Sequence, residues 1–181
     1  MTEIIEPNTV DLDAFWTHAI NAAQLNQAEA FTGQDDLISL RPAAFAFGDT
    51  AEMADRLCEL VLAGKKRATS SYGPAYLAED VDYPTVGDLG ILCDGSGRPR
   101  ALLRTSKVEI FAFTEVPASI AQLEGEYEDA ANEAEAFNQW KAEHEDFFRR
   151  DFAQIGGDFD PKDDIIVEHL EILYKFDGAA A

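Results

Sequence analysis

The chain has 181 residues, 46% of them hydrophobic, which suits one domain with a sizeable core and, at most, an extension. Lys and Arg number 14 against 35 Asp and Glu, a formal charge of −21 that repels long polyanions and excludes duplex DNA as a general partner. Two cysteines, Cys58 and Cys93, make no disulfide scaffold, the first residues carry no basic or apolar leader pattern, and no apolar run reaches membrane-helix length; a soluble cytoplasmic protein is expected.

Residues 10–30 read as a helix, with Asp11 or Asp13 as cap and Phe15, Trp16, Ala19, Ile20 and Ala23 at helical spacing. Trp16 there is an anchor for docking. Gly33 to Pro42 is a polar connection, extended at its X-Pro step. A second helix follows, with Asp49 and Glu52 spaced like a capping box and Met53, Leu57, Leu60 and Val61 in one stripe. Gly64 stands where a left-handed C-terminal cap is favoured, and Lys65, Lys66 and Arg67 follow, where the helix dipole favours cations.

Beyond residue 84 the pattern turns to strands. Residues 86–94 lead to a turn at Gly95-Ser96-Gly97, and 101–113 alternate, with Leu103, Thr105, Lys107 and Glu109 on a face that is not apolar. A short helix over 117–125 and a longer one over 129–154 come next, the latter carrying Phe137, Trp140, His144, Phe147 and Phe148 as a core-facing aromatic stripe. The last strand, 164–176, is expected to turn Ile166, Leu170, Ile172 and Tyr174 to the core, and residues 178–181 read as a loose tail. Strands scattered among helices without βαβ alternation indicate an α+β fold around a small mixed sheet or barrel.

Charge is uneven. Between Gly64 and Lys107 seven bases meet five acids, a local net charge of +2, while the rest of the chain carries seven bases and thirty acids. This window is either merely less acidic than the remainder or a local electropositive site for a small anion.

No P-loop, G-x-G-x-x-G, H-E-x-x-H or G-x-S-x-G is present. His18, His144 and His169 stand far apart and the cysteines do not join them at ligand spacing, so neither a metal nor another cofactor is expected. The candidate for chemistry is Gly64-Lys-Lys-Arg-Ala-Thr-Ser-Ser71, where three hydroxyls follow three cations. A lysine activates a hydroxyl only when neutral, and lowering its pKa from ~10.4 to ~7.5 takes roughly 4 kcal/mol of destabilised ammonium. Neighbouring charge from Lys65 and Arg67 and burial in a cleft act in that direction. In a regular strand Lys66 and Thr69 face opposite ways, so they meet only if the chain turns after the helix. The other reading of the segment is a helix-dipole complement in a solvated loop.

Phe47-Gly-Asp, Leu62-Ala-Gly-Lys-Lys-Arg-Ala-Thr69, Gly87-Asp-Leu-Gly90, Arg104-Thr105 with Val108-Glu109, Phe113-x-Glu115-Val116 and Glu124-Gly-Glu126 together resemble the ASCH domain family. Trp140, His144 and Phe147-Phe148 are similar to its larger bacterial members. The resemblance covers roughly residues 43–176 and implies a domain over 43–177, a helical extension over 1–42, and a PUA-like mixed β-barrel with flanking helices. It also implies a cleft for a modified nucleoside or single-stranded RNA. One small branch of the family consists of N4-acetylcytidine amidohydrolases that use a lysine, a threonine and a glutamate; these fall on Lys66, Thr69 and Glu124. In that scheme neutral Lys66 takes the Thr69 proton, Thr69 attacks the acetyl carbonyl, and Glu124 serves the leaving amine and then water. Lys65, Arg67, Ser70, Ser71, Tyr76 and Arg104 are the expected substrate-binding residues, with backbone N–H groups near Ser70 and Ser71 as oxyanion donors. This chain departs from that branch in length and in having Lys65 and Arg67 where it has an arginine and a threonine. Other members imply the alternatives: an RNA-binding module or ribonuclease in which Lys65, Lys66, Arg67, Arg98 and Arg100 contact phosphates, or a non-catalytic ligand-sensing domain.

Overall fold

The computed structural model describes residues 3, 5–23, 25 and 41–176. Five strands pair in the order β1-β3-β4-β5-β2: β1 (Ala44–Phe45), β2 (Ala68–Tyr72), β3 (Leu89–Cys93), β4 (Pro99–Ala112) and β5 (Asp164–Lys175). β1 runs parallel to β3, whereas β3 is antiparallel to β4 and β2 antiparallel to β5, so the sheet is mixed and the class α+β. Two compact units share β4 and β5, one drawn from the described residues of 1–63, 87–104 and 171–181, the other from 64–86 and 105–170.

In the first unit, α1 (Thr9–Ala22) starts at Asn8, whose side chain accepts from Val10 N at 2.8 Å; neither Asp11 nor Asp13 is the cap. Asp13 instead pairs with Arg41 at 2.8 Å. The spacing of Leu12, Phe15, Trp16, Ala19 and Ile20 buries one face of α1 against Ile91, Cys93 and Leu102. Trp16 is the anchor its position suggests, although its Nε1 is buried with no hydrogen-bond partner among the described residues. The remainder of the expected helix beyond Leu25, the connection over 33–40 and the tail over 178–181 lie outside the described residues. α2 (Ala51–Leu62) is capped by Thr50, which accepts from Met53 N at 3.2 Å, one residue later than the Asp49 box. Asp94 ties the turn before β4, accepting at one oxygen from Ser96 N, Ser96 Oγ and Arg98 N.

The second unit carries a separate core in which Trp140, Phe113, Ile120, Phe148, Ile165 and Val167 are buried together. Here α3 (Gly73–Ala78) follows β2 directly, Pro74 occupying the first turn where its missing N–H costs nothing. A 3-10 turn (Phe113–Glu115) follows β4, and then come α4 (Ser119–Glu124) and α5 (Glu133–Gln154). Asn132 caps α5 by accepting from Glu135 N at 3.0 Å, while the Glu135 carboxylate accepts from Ala131 N at 3.0 Å. The aromatic stripe of α5 divides: Trp140 and Phe148 are buried, Phe147 is exposed. In β5, Ile165, Ile166 and Val167 are all buried, so the first part of this strand is covered on both faces and the expected single core face does not hold. Among the described residues no helix is long and apolar enough to cross a membrane.

Candidate active site

The site lies within the second unit and begins where α2 has ended. Gly64 takes φ +72°, the left-handed conformation expected of a residue ending a helix, and residues 65–67 lead without regular structure into β2. Arg67 N donates to Leu123 O at 2.7 Å and Arg67 O accepts from Leu170 N at 2.8 Å, which pins this stretch between the end of α4 and β5. β2 then pairs residue by residue with β5, Ala68 opposite His169, Thr69 opposite Glu168, Ser70 opposite Val167 and Tyr72 opposite Ile165. Because side chains alternate, Ala68, Ser70 and Tyr72 share the face of Val167 and Ile165, and Thr69 shares the other face with Glu168.

Lys66 is buried, its side chain 2% exposed, with Nζ 2.9 Å from Glu124 Oε2 and 2.8 Å from Glu126 Oε1. Glu124, 1% exposed, also accepts at Oε1 from Ser70 Oγ at 2.6 Å and from Trp140 Nε1 at 2.8 Å, with His144 Nε2 at 3.5 Å. Gly125 lets both carboxylates reach one ammonium. It has φ +67°, and an added Cβ would lie 2.5 Å from Lys65 O, so a side chain at 125 is opposed both by conformation and by backbone contact.

The electrostatics follow from this packing. Burial pulls the Lys66 ammonium toward its neutral form, but Glu124 and Glu126 outweigh it and leave the pKa raised. Burial likewise opposes charge on Glu124, and the Lys66 and His144 charges overcome it, holding the carboxyl well below the usual carboxylate range. The two groups sustain each other as a buried ion pair.

Two expectations are thereby corrected. Lys66 is not a neutral base, because its proton is bound between two carboxylates. Thr69 is not brought to Lys66, because the chain makes no turn there and strand alternation sends the threonine to the other face. The hydroxyl that meets Glu124 is Ser70. Of the expected triad, the structure brings Lys66 and Glu124 together.

A cavity of about 350 Å³ opens beside this cluster. Ser70 and Ser71 supply its hydroxyls, Tyr72, Tyr76, Phe147 and Phe148 rings, and Glu79 and Asp151 carboxylates; none of its lining residues is Lys or Arg. Tyr72 stacks on Phe148 with ring centroids 5.6 Å apart, and its hydroxyl is held by Asp163. Burial raises the pKa of Tyr76, although a hydrogen bond with Ser71 works against the shift.

Most of the basic residues already hold a carboxylate. Lys65 pairs with Glu128 at 2.7 Å, Lys107 with Glu109 at 2.8 Å, and Arg67 is exposed. Within the first unit, Arg104 donates to Glu171 at 2.6 and 3.0 Å, and Arg100 pairs with Glu59 at 2.9 Å and Asp94 at 3.3 Å. The sequence window with net charge +2 is offset in space by carboxylates from elsewhere in the chain. Cys58 and Cys93 are buried and free, and burial pushes both thiols up to about 12, which makes them inert. Among the described residues no group of three or more His, Cys, Asp or Glu could hold a metal.

Glu126, the Trp140 Nε1 donor and the position of His144 were not legible as site residues. The signals that could have found them are the Glu124-Gly-Glu126 spacing, with a glycine suited to a left-handed turn, and the i, i+4 pair Trp140 and His144, which the structure stacks with centroids 4.3 Å apart.

A family model described as ASCH domain matches residues 43–174. The crystal structure of protein EF3133 from Enterococcus faecalis V583 is 30% identical and superposes with a TM-score of 0.75, covering 91% of this chain and 89% of that one. An ASCH domain from Lactobacillus crispatus JV V101, 22% identical with a TM-score of 0.66 over 85% of this chain and 95% of its own, shares the fold. No curated protein matches the sequence. With the model spanning most of its length, and a mixed sheet with helices like those of its structural neighbours, the chain belongs to the ASCH domain family and has its PUA-like α+β fold.

Proposed function

We propose that this protein is a hydrolase that cleaves the acyl amide of an acylated nucleoside, with Ser70 as nucleophile and Glu124 as its acid and base. The family's PUA-like fold is associated with RNA binding and with hydrolysis. The observation that carries the reading is that Ser70 lines the cavity while its Oγ donates to the buried, ionised Glu124 carboxylate at 2.6 Å.

In this reaction Ser70 Oγ attacks the acyl carbon as its proton passes to Glu124, a transfer that the carboxyl's lowered pKa makes uphill and that only bond formation to the acyl carbon can drive. The C–N bond breaks, Glu124 returns that proton to the leaving amine, and the acyl group remains as an ester on Ser70. Water then attacks the ester, Glu124 takes a water proton, and that proton restores the serine hydroxyl as the acid departs. Lys66 stays charged throughout. Its ammonium and the Trp140 N–H keep Glu124 in one orientation and offset the cost of a buried carboxylate. The rings of Tyr76, Phe147 and Phe148 offer stacking surface for a base. Binding of RNA phosphates by Lys65, Lys66, Arg67, Arg98 and Arg100 is the weaker alternative, since Lys65, Lys66 and Arg100 already hold carboxylates, which leaves it to the exposed Arg67 and Arg98.

The test is a panel of acylated nucleosides, N4-acetylcytidine included, assayed for acid release. Ser70→Ala is expected to abolish release and Glu124→Gln to lower it by roughly 10²–10⁴-fold, with Thr69→Ala within a few-fold of wild type. A wild type inactive on every member, or loss with Thr69→Ala and retention with Ser70→Ala, overturns this proposal.

A further inference from the structure

We infer that the cavity beside Ser70 is a site for an organic ammonium ion. If the hydrolase reading holds, on which this second step rests, the favoured substrates carry a positive charge on the part that occupies the cavity.

The argument is one of complementarity. The cavity lining includes two carboxylates, Glu79 and Asp151, and no cation. Both are exposed on its open side, and neither is ion-paired among the described residues. Behind them the wall is aromatic. Tyr72 packs on Phe148 and, edge to face with centroids 5.0 Å apart, on Phe152; Phe147 packs on Phe148 at 5.9 Å. Ring faces carry negative quadrupole potential, and a carboxylate within reach of the same volume adds to it. Such a combination favours a substituted ammonium over a neutral group of equal size, and it repels phosphate.

Two cations stand near this wall, each beside a carboxylate of its own helix. Arg149 lies over the Phe159 ring at 5.0 Å and pairs with Glu145; Arg150 lies over Phe147 at 5.6 Å, with Asp146 at 3.7 Å. The net charge of −21 draws a cation toward the protein, but the rings and the two rim carboxylates are what localise it.

The probe is tetramethylammonium chloride, titrated into the full chain by calorimetry, with tert-butyl alcohol, of the same heavy-atom count and shape, as the uncharged control. Saturable binding of the ammonium and not of the alcohol is expected. Asp151→Asn and Glu79→Gln should each weaken it about threefold and the double variant about tenfold, as two partly solvated charge contacts would. Asp151→Lys should remove it. Because loss of any two acids weakens a diffuse attraction, Glu115→Gln with Asp158→Asn serves as control; both positions are exposed, and binding should stay within twofold of wild type. Equal binding of the two probes, an equal loss in the control, or full affinity in the double variant overturns the inference. The probe needs no turnover, so the two readings fail separately. Saturable binding with no acid released from any substrate keeps the ammonium site and sinks the hydrolase, whereas acid release with no probe binding does the reverse.

Discussion

Lys66→Met replaces the buried ammonium with an apolar side chain of similar length and leaves Glu124, 1% exposed, without its cation. Two short charge-assisted bonds are lost, at 2.9 and 2.8 Å. Breaking a buried ion pair from one side costs about 3–5 kcal/mol, because the remaining charge stays desolvated. Glu126, 13% exposed, can turn toward water, whereas Glu124 cannot. In urea, with a slope near 2 kcal/mol/M for a chain of this size, the midpoint should fall by about 1.5–2.5 M at pH 7. The loss should also depend on pH. In the wild type Glu124 is depressed, so its contribution is present above the ordinary carboxylate value and is lost only as pH falls through its lower folded value. Lys66 is raised, so its contribution is present below the ordinary lysine value and is lost as pH rises through a still higher one. Across pH 5–8 the wild-type pair is therefore constant. In the variant Glu124 loses the ammonium, the larger of the two charges that hold it down, and its pKa moves up, which makes the variant more stable as pH falls toward 5. The gap between the two proteins should be widest near pH 8 and narrow toward pH 5. A midpoint within 0.5 M of wild type at pH 7, or a gap that does not change with pH, refutes the buried-pair reasoning.

Three further outcomes test the same cluster. Trp140→Phe keeps a ring in the core but removes one donor to Glu124; a loss of about 1.5–3 kcal/mol is expected by urea denaturation, and an unchanged midpoint would show that the indole N–H is dispensable. Gly125→Ala puts a side chain at φ +67° and against Lys65 O; about 2–3 kcal/mol should be lost in thermal melting, and Gly125→Asn, which tolerates the dihedral but not the contact, should not restore it. For an acyl-releasing substrate, neither Glu124 nor Lys66 changes protonation from pH 5 to 8, so the rate should show no tenfold rise per pH unit across that range. A neutral-lysine base would instead give a tenfold rise per pH unit, and observing that rise would restore Lys66 as the proton acceptor.

Much of the local structure was legible because it depends on neighbours in sequence. The apolar spacing of Leu12, Phe15, Trp16, Ala19 and Ile20 marks the face of α1, Gly64 marks the end of α2, and the long alternation before residue 112 marks β4. Caps were displaced by a few residues, Asn8 for Asp11 and Thr50 for Asp49, since several polar side chains compete at each helix start and backbone angles choose among them. α3 went unread because six residues are too few to carry a helical period.

Lys66 and Glu124 could be singled out as residues, but β2 was not read as a strand, and its pairing with β5 is what sets Thr69 on the other face from Ser70. What the sequence by itself could not supply was protonation. A lysine among Lys65 and Arg67 reads as a candidate for a lowered pKa, and only folding delivers Glu124 and Glu126, 58 and 60 positions away, to reverse the sign. The same holds for part of the basic stretch: Lys65, Arg100 and Arg104 meet Glu128, Glu59 and Glu171, acids distant in the chain. Composition and periodicity report what a segment carries. Electrostatic energy depends on distance and on exclusion of water, and both of those belong to the tertiary structure.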